Sequence, residues 1–124
     1  MRFRVRGEGP PLLLIQGIGA SLELWDPLLA HLDGFQTIVF DHPGAGLSEP
    51  PAGPVGMSHY ARVGEALLDH LRHERADILG FSFGGMVAQE LALAHPDHRD
   101  ALEADARAAG IWGREARRVV PTAA

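Results

Sequence analysis

The chain has 124 residues, 46% hydrophobic and 22% charged, which bounds it to one globular domain or a part of one. A formal charge of −5, with no basic block ahead of the tail, argues against a nucleic-acid partner. Cysteine is absent, so disulfides and thiolate metal sites are excluded, and the longest aliphatic run, Leu12 to Ile15, is far too short to span a bilayer.

The opening "MRFRVRGEGPP" lacks a signal-peptide pattern, so a cytoplasmic protein without membrane contact is expected. "RFRVRGEG" alternates charged and apolar residues through Val5, then meets Gly7 and Gly9, which predicts a strand entering a turn. "LLLIQ", Leu12 to Gln16, is a continuous apolar run between Pro11 and Gly17 and predicts a buried parallel strand. Asp26-Pro27 predicts a helix start with a capping carboxylate; Leu28, Leu29 and Leu32 form its apolar face and Asp33-Gly34 stops it.

"FQTIVFD", Phe35 to Asp41, has β-branched residues at its centre and predicts the next strand. The glycine- and proline-rich "HPGAGLSEPPAGPVG" is a loop. From Ser58 to about Glu74 the period becomes helical, with Tyr60, Val63, Leu67 and Leu71 on one face and Arg62, Glu65, Asp69 and Arg72 opposite. "ADILGF" predicts a short buried strand, and Gly84 to His95 a helix stopped by Pro96. Strands alternating with helices imply a parallel sheet covered on both faces. After residue 98 the chain is rich in alanine, arginine and acids, with only "RVV" resembling a strand. Residues 99–124 are therefore expected to form a divergent helical or disordered tail on a domain of residues 1–98.

"GFSFG", Gly80 to Gly84, fits G-x-S-x-G between a predicted strand and a predicted helix, the context that motif requires. A serine lifted above the sheet edge sits in a tight, strained turn. Side chains two residues to either side would collide, so Gly80 and Gly84 are needed, and the following helix points its N-terminus at Ser82. Gly85 and Ala88 are expected to let that helix pack closely on the strands. "QGIGAS", Gln16 to Ser21, leaves the first buried strand with two glycines. Its backbone predicts an oxyanion hole shared between the N–H groups of Ile18 and Phe83.

"PLLLIQGIGAS", "FDHPGAGLS" and "LGFSFGGMVAQELALAHPD" follow one another as in the N-terminal half of an α/β-hydrolase, and the chain resembles that family from about Phe3 to about His98. The usual histidine before the oxyanion glycine is Gln16 here. The resemblance implies an α/β architecture, a partial α/β-hydrolase fold with a mostly parallel sheet, flanking helices and missing C-terminal strands. It also implies a serine hydrolase that attacks an ester, thioester or lactone with Ser82, needs no cofactor or metal, and takes a small ester-like substrate. Serine at position 82 argues against the branches that use aspartate there.

In this fold the acid and base follow the serine in chain order. His95 falls about twelve residues along the helix, roughly 18 Å from its start, and cannot be the base. "HPDH" at 95–98, His70 and His73 read as surface, with Asp69 able to pair with His73 at i,i+4. His42 and His59 flank the glycine-rich loop, within reach of a cleft. No triad acid or base is found, and the N-terminal strand lacks its usual hairpin partner. The chain is therefore expected to be a truncated or frame-shifted hydrolase, weakly active or inactive. A non-catalytic module that oligomerises through an unpaired sheet edge, or a gene fragment without function, stays open.

Overall fold

The computed structural model describes residues 1–95. Strand β1 (Phe3–Arg6) turns into β2 (Pro11–Ile15); a 3₁₀ turn (Leu22–Trp25) runs into the single-turn helix α1 (Asp26–Leu29), and β3 (Gln36–Phe40) follows. Helix α2 (Met57–His70), strand β4 (Asp77–Gly80) and helix α3 (Phe83–Ala94) complete the described elements, in the order the sequence predicts. The sheet order is β1-β3-β2-β4: β2 runs parallel to both β3 and β4, while β1 is antiparallel to β3. The sheet is thus mostly parallel, in the expected manner, with one antiparallel edge.

Why β2 and β3 lie inside follows from their residues. Both are apolar on both faces, so each must be covered twice. Their parallel register sets Leu13 beside Ile38 and Leu14 beside Val39, so like faces coincide. On one face Leu13, Ile15, Ile38 and Phe40 pack with Ala61 and Leu67 of α2 and Val87 and Leu91 of α3. On the other, Leu14 and Val39 pack with Leu22 and Trp25 of the 3₁₀ turn. The strand ends Ile15 and Phe40 are held in place by this core, and Gly80 by the pairing of β4 with β2.

Three expectations are corrected. Asp26 does not cap a helix: the chain is already helical from Leu22, so no free N-terminus exists there, and the Asp26 carboxylate accepts from the Arg4 guanidinium instead. Helix α1 ends at Leu29, and Leu28 lies exposed while Leu29 and Leu32 pack on the smaller core. Helix α2 stops at His70 rather than near Glu74. Arg72 adopts a φ of 60°, and the His73 N–H reaches the Leu68 carbonyl at 2.9 Å, closing a Schellman turn. His73 lies past that turn, outside the helical spacing that pairing with Asp69 assumed; His70 is exposed and meets the Phe3 ring edge-on.

Strand β4 is not buried. Ile78 and Leu79 are 36% and 40% exposed, because β4 borders the described sheet and pairs on one side, with β2. Met1–Leu91 form one compact unit. The expected boundary at residue 98 lies outside the described residues, as do Pro96, His98 and the tail. No helix among the described residues is long and apolar enough to cross a membrane.

Candidate active site

Gly80 closes β4, Phe83 opens α3, and Ser82 stands between them, exposed, with a φ of 55°. A non-glycine residue in that left-handed region costs of order 1–3 kcal/mol and persists only where its surroundings impose it. The two flanking glycines show how. A Cβ on Gly80 would lie 2.4 Å from the Gly84 carbonyl oxygen, and one on Gly84 would lie 1.9 Å from the Ile15 carbonyl oxygen. Only with both Cβ atoms absent can the turn close so tightly that the Phe81 N–H bonds the Ile15 carbonyl at 2.9 Å. The close helix–strand approach expected at Gly85 belongs to Gly84: a Cβ on Gly85 would meet nothing nearer than 3.6 Å.

The first turn of α3 places its amides at the elbow. The Gly84 and Gly85 N–H groups donate to the Phe81 and Ser82 carbonyls, both at 2.9 Å. The Phe83 N–H, at the first helical position, has no intrahelical acceptor. Across from it lies the loop after β2. Gly17 is buried so closely against the elbow that a Cβ there would touch the Ser82 Cβ at 3.6 Å, and Ile18 follows with its side chain in solvent. The structure thus brings together Ser82, Phe83 and the Ile18 loop. Phe81 precedes Ser82 and Met86 lies in the first turn of α3, both more than half exposed, whereas Phe83 turns inward to the main core.

The end of β3 supports this arrangement. Gln16 is fully buried: its Nε2 donates to the Phe40 carbonyl, its Oε1 accepts from Trp25 Nε1 at 3.4 Å, and its carbonyl meets His42 Nε2 at 3.0 Å. His42 does not reach a cleft. It is buried edge-on among the rings of Phe40, Tyr60 and Phe83, at centroid distances of 5.3, 5.5 and 5.6 Å. With Nε2 donating to a carbonyl, Nδ1 must be the bare nitrogen, and it is buried without a hydrogen-bond partner. His42 is therefore not hydrogen-bonded to Ser82. His59 is half-buried and meets the Tyr60 ring.

Asp41 matters to the site without any sequence motif that marks it. Its carboxylate is wholly buried and accepts from the Leu22 N–H at 2.7 Å, the Leu47 N–H at 2.9 Å and Arg2 Nη1 at 3.3 Å. Its carbonyl accepts from Ser48 Oγ at 2.9 Å. Gly46 crosses so near that a Cβ would fall 2.2 Å from Asp41 Oδ2. Arg2 also bonds Glu23, which holds that carboxyl down at about 2. Among the described residues no group of three or more metal-ligating side chains comes together.

A family model described as the alpha/beta hydrolase fold matches residues 10–117. The chain is 39% identical over 114 residues to a poly(3-hydroxyalkanoate) depolymerase of Ectopseudomonas oleovorans, covering 89% of this chain and 40% of that protein. Among solved structures it is similar to a hydrolase from Pseudomonas aeruginosa PA01, with 38% identity and a TM-score of 0.73, covering 76% of this chain and 37% of that one. It is also similar to the enol-lactonase from Burkholderia xenovorans LB400, with 32% identity and a TM-score of 0.74, covering 78% and 39%. The chain spans about 40% of the length of each of these relatives.

Two outcomes follow from this geometry. Gly84→Ala places a methyl inside a carbonyl and is expected to destabilise the chain by about 3 kcal/mol or more, while Gly85→Ala, in ordinary contact, stays within about 1 kcal/mol; urea unfolding of the two variants checks the contrast. Burial lowers the His42 pKa below its ordinary 6.5, against opposing pulls from the Gln16 carbonyl and Asp41. The unfolded chain therefore takes up the proton first as pH falls. The contribution of neutral His42 to stability is present above about 6.5 and is lost as pH falls below it, and His42→Gln flattens that decline in urea titrations.

Proposed function

The chain belongs to the α/β-hydrolase fold family, and from that premise we propose that it carries the nucleophile and oxyanion-binding part of a serine hydrolase acting on an ester, thioester or lactone. The observation that carries this reading is Ser82, exposed at a strand-to-helix junction in a left-handed conformation that only its surroundings sustain. Strain of this kind collects where a side chain must be presented to a ligand.

In the proposed step Ser82 Oγ attacks the carbonyl carbon as its proton passes to a general base. The carbonyl π electrons move onto oxygen, and the oxyanion is stabilised by the Ile18 and Phe83 N–H groups and by the positive end of α3. Collapse expels the alkoxide or thiolate, which takes up the proton, and leaves an acyl group on Ser82. Water reverses the sequence and releases the acid. In a lactone the leaving oxygen stays tethered to the acyl chain. The base and its acid follow the serine in chain order in this fold. His42, whose Nε2 is committed to the Gln16 carbonyl, does not take that part.

The names of two of the similar proteins above state a substrate, a poly(3-hydroxyalkanoate) and a lactone, and both carry an ester carbonyl. The exposed side chains of Ile18, Phe81 and Met86 support an apolar acyl group. A fluorophosphonate probe is expected to add one phosphonyl group to the folded chain, at Ser82 by peptide mass spectrometry, and Ser82→Ala to remove it. A folded chain that takes no probe, or takes it elsewhere, contradicts the assignment.

A further inference from the structure

The loop that carries Ile18 is a single turn, closed by the Ala20 N–H on the Gly17 carbonyl at 3.3 Å, and belongs to no helix or strand. Yet an oxyanion donor is useful only if its N–H is held within a fraction of an ångström of its working position. What anchors the two ends of that turn to the sheet lies in two consecutive residues at the end of β3. At the loop's start, His42 Nε2 donates to the carbonyl of Gln16, one residue before Gly17, at 3.0 Å. At its end, Asp41 Oδ1 accepts from the N–H of Leu22 at 2.7 Å. Residues 17–21 are therefore fastened at both ends to adjacent residues of one strand terminus, and both fastening side chains are buried, at 0% and 2% exposure.

His42 does a second thing. Its ring rests edge-on against Phe83, whose N–H is the other proposed donor. One imidazole thus touches both halves of the oxyanion site, by a hydrogen bond on the Ile18 side and by ring packing on the Phe83 side. Asp41 extends the same hold to the glycine-rich loop through the Leu47 N–H at 2.9 Å.

We propose that Asp41 and His42 are positioning residues that set the place of the Ile18 N–H relative to Ser82 and Phe83. They touch no substrate. Their effect is on the orientation of a donor, and so on the rate of the step in which negative charge develops on oxygen. This inference rests on the reading of Ser82 as nucleophile with Ile18 and Phe83 as donors.

The test uses the full chain and separates the hydrogen bond from the ring packing. His42→Phe keeps an aromatic ring among Phe40, Tyr60 and Phe83 but has no N–H to give. His42→Gln loses the ring but places an amide N–H near the position of Nε2. For inactivation by a fluorophosphonate, the maximal rate kinact is expected to fall on the order of 10²-fold in His42→Phe, with the half-saturating concentration KI within about twofold. His42→Gln is expected to retain kinact within about threefold, although it loses more thermal stability. A purely structural role predicts the reverse ranking. Equal rates in His42→Phe and the parent chain, with both folded, overturn the proposal.

Amide hydrogen exchange of the unmodified chain gives an independent reading. The Leu22 N–H is expected to exchange as slowly as the β3 amides, and His42→Phe to speed exchange within residues 17–21 while leaving β3 unchanged. A fast Leu22 amide in the parent chain overturns the proposal even if no variant folds. Absence of any Ser82 labelling in the parent chain sinks the nucleophile reading instead, and a slow Leu22 amide then shows that the fastening exists without that chemistry.

Discussion

The approach of α3 to the end of β2, closer than any side chain allows, is the constraint from which the rest of the site follows. Gly84 lies against the Ile15 and Gln16 carbonyls, where a Cβ would fall 1.9 and 2.8 Å away, and Gly80 lies against Gly84. That contact forces the chain between them to turn in very little space. Ser82 takes the strained conformation that results, with its side chain outward and the start of α3 directly behind it. The same contact brings Gly17 against Ser82, so the loop after β2 and the elbow after β4 are neighbours because β2 and β4 are paired strands. A strain of order 1–3 kcal/mol is affordable because the strands beneath belong to a core closed on both faces.

The end of β3 plays the supporting part. β2 is flanked by β3 and β4, so the termini of all three strands open on one side of the sheet, and each contributes a different kind of residue. β4 leads to Ser82, β2 leads to the loop that carries the proposed Ile18 donor, and β3 leads to a buried aspartate and histidine bonded to the two ends of that loop. Burying a carboxylate is costly unless its oxygens are satisfied. Asp41 meets the condition with two backbone N–H groups and Arg2, and so joins the N-terminus, the loop after β2 and the glycine-rich loop in one network. The bare Nδ1 of His42 is the cost of placing an imidazole where a single donor was needed, and it makes the fold sensitive to acid at that point.

Much of this was legible in the sequence. The order of elements and the elbow could be read because both depend on local rules: runs of apolar residues make buried strands, and a serine between glycines after such a run has few other uses. The edges of that legibility are equally physical. Leu79 is apolar and was expected inside, but burial of a strand depends on what lies beside it, which composition does not state. Asp26 followed by proline looks like a cap wherever a helix begins there, and the 3₁₀ turn already in progress from Leu22 removes the need. Of two adjacent small residues, Gly84 and Gly85, only coordinates show which one faces a carbonyl. Asp41 and His42 were the least visible. Their partners lie 19 and 26 residues away, and a polar pair ahead of a glycine-rich loop has no local pattern that marks it as buried. The segment "FDHPGAGLS" contributed to the family resemblance without revealing which of its residues did what.

The central claim is that Ser82 and the amides of Ile18 and Phe83 form one site around a developing oxyanion. The most direct measurement is a crystal structure of the chain after reaction with a phosphonate, whose phosphoryl oxygen stands in for that oxyanion. The account predicts phosphorus bonded to Ser82 Oγ and the phosphoryl oxygen within about 2.7–3.1 Å of both backbone nitrogens. An adduct on Ser82 whose oxygen points into solvent, with the Ile18 amide turned away, would contradict it.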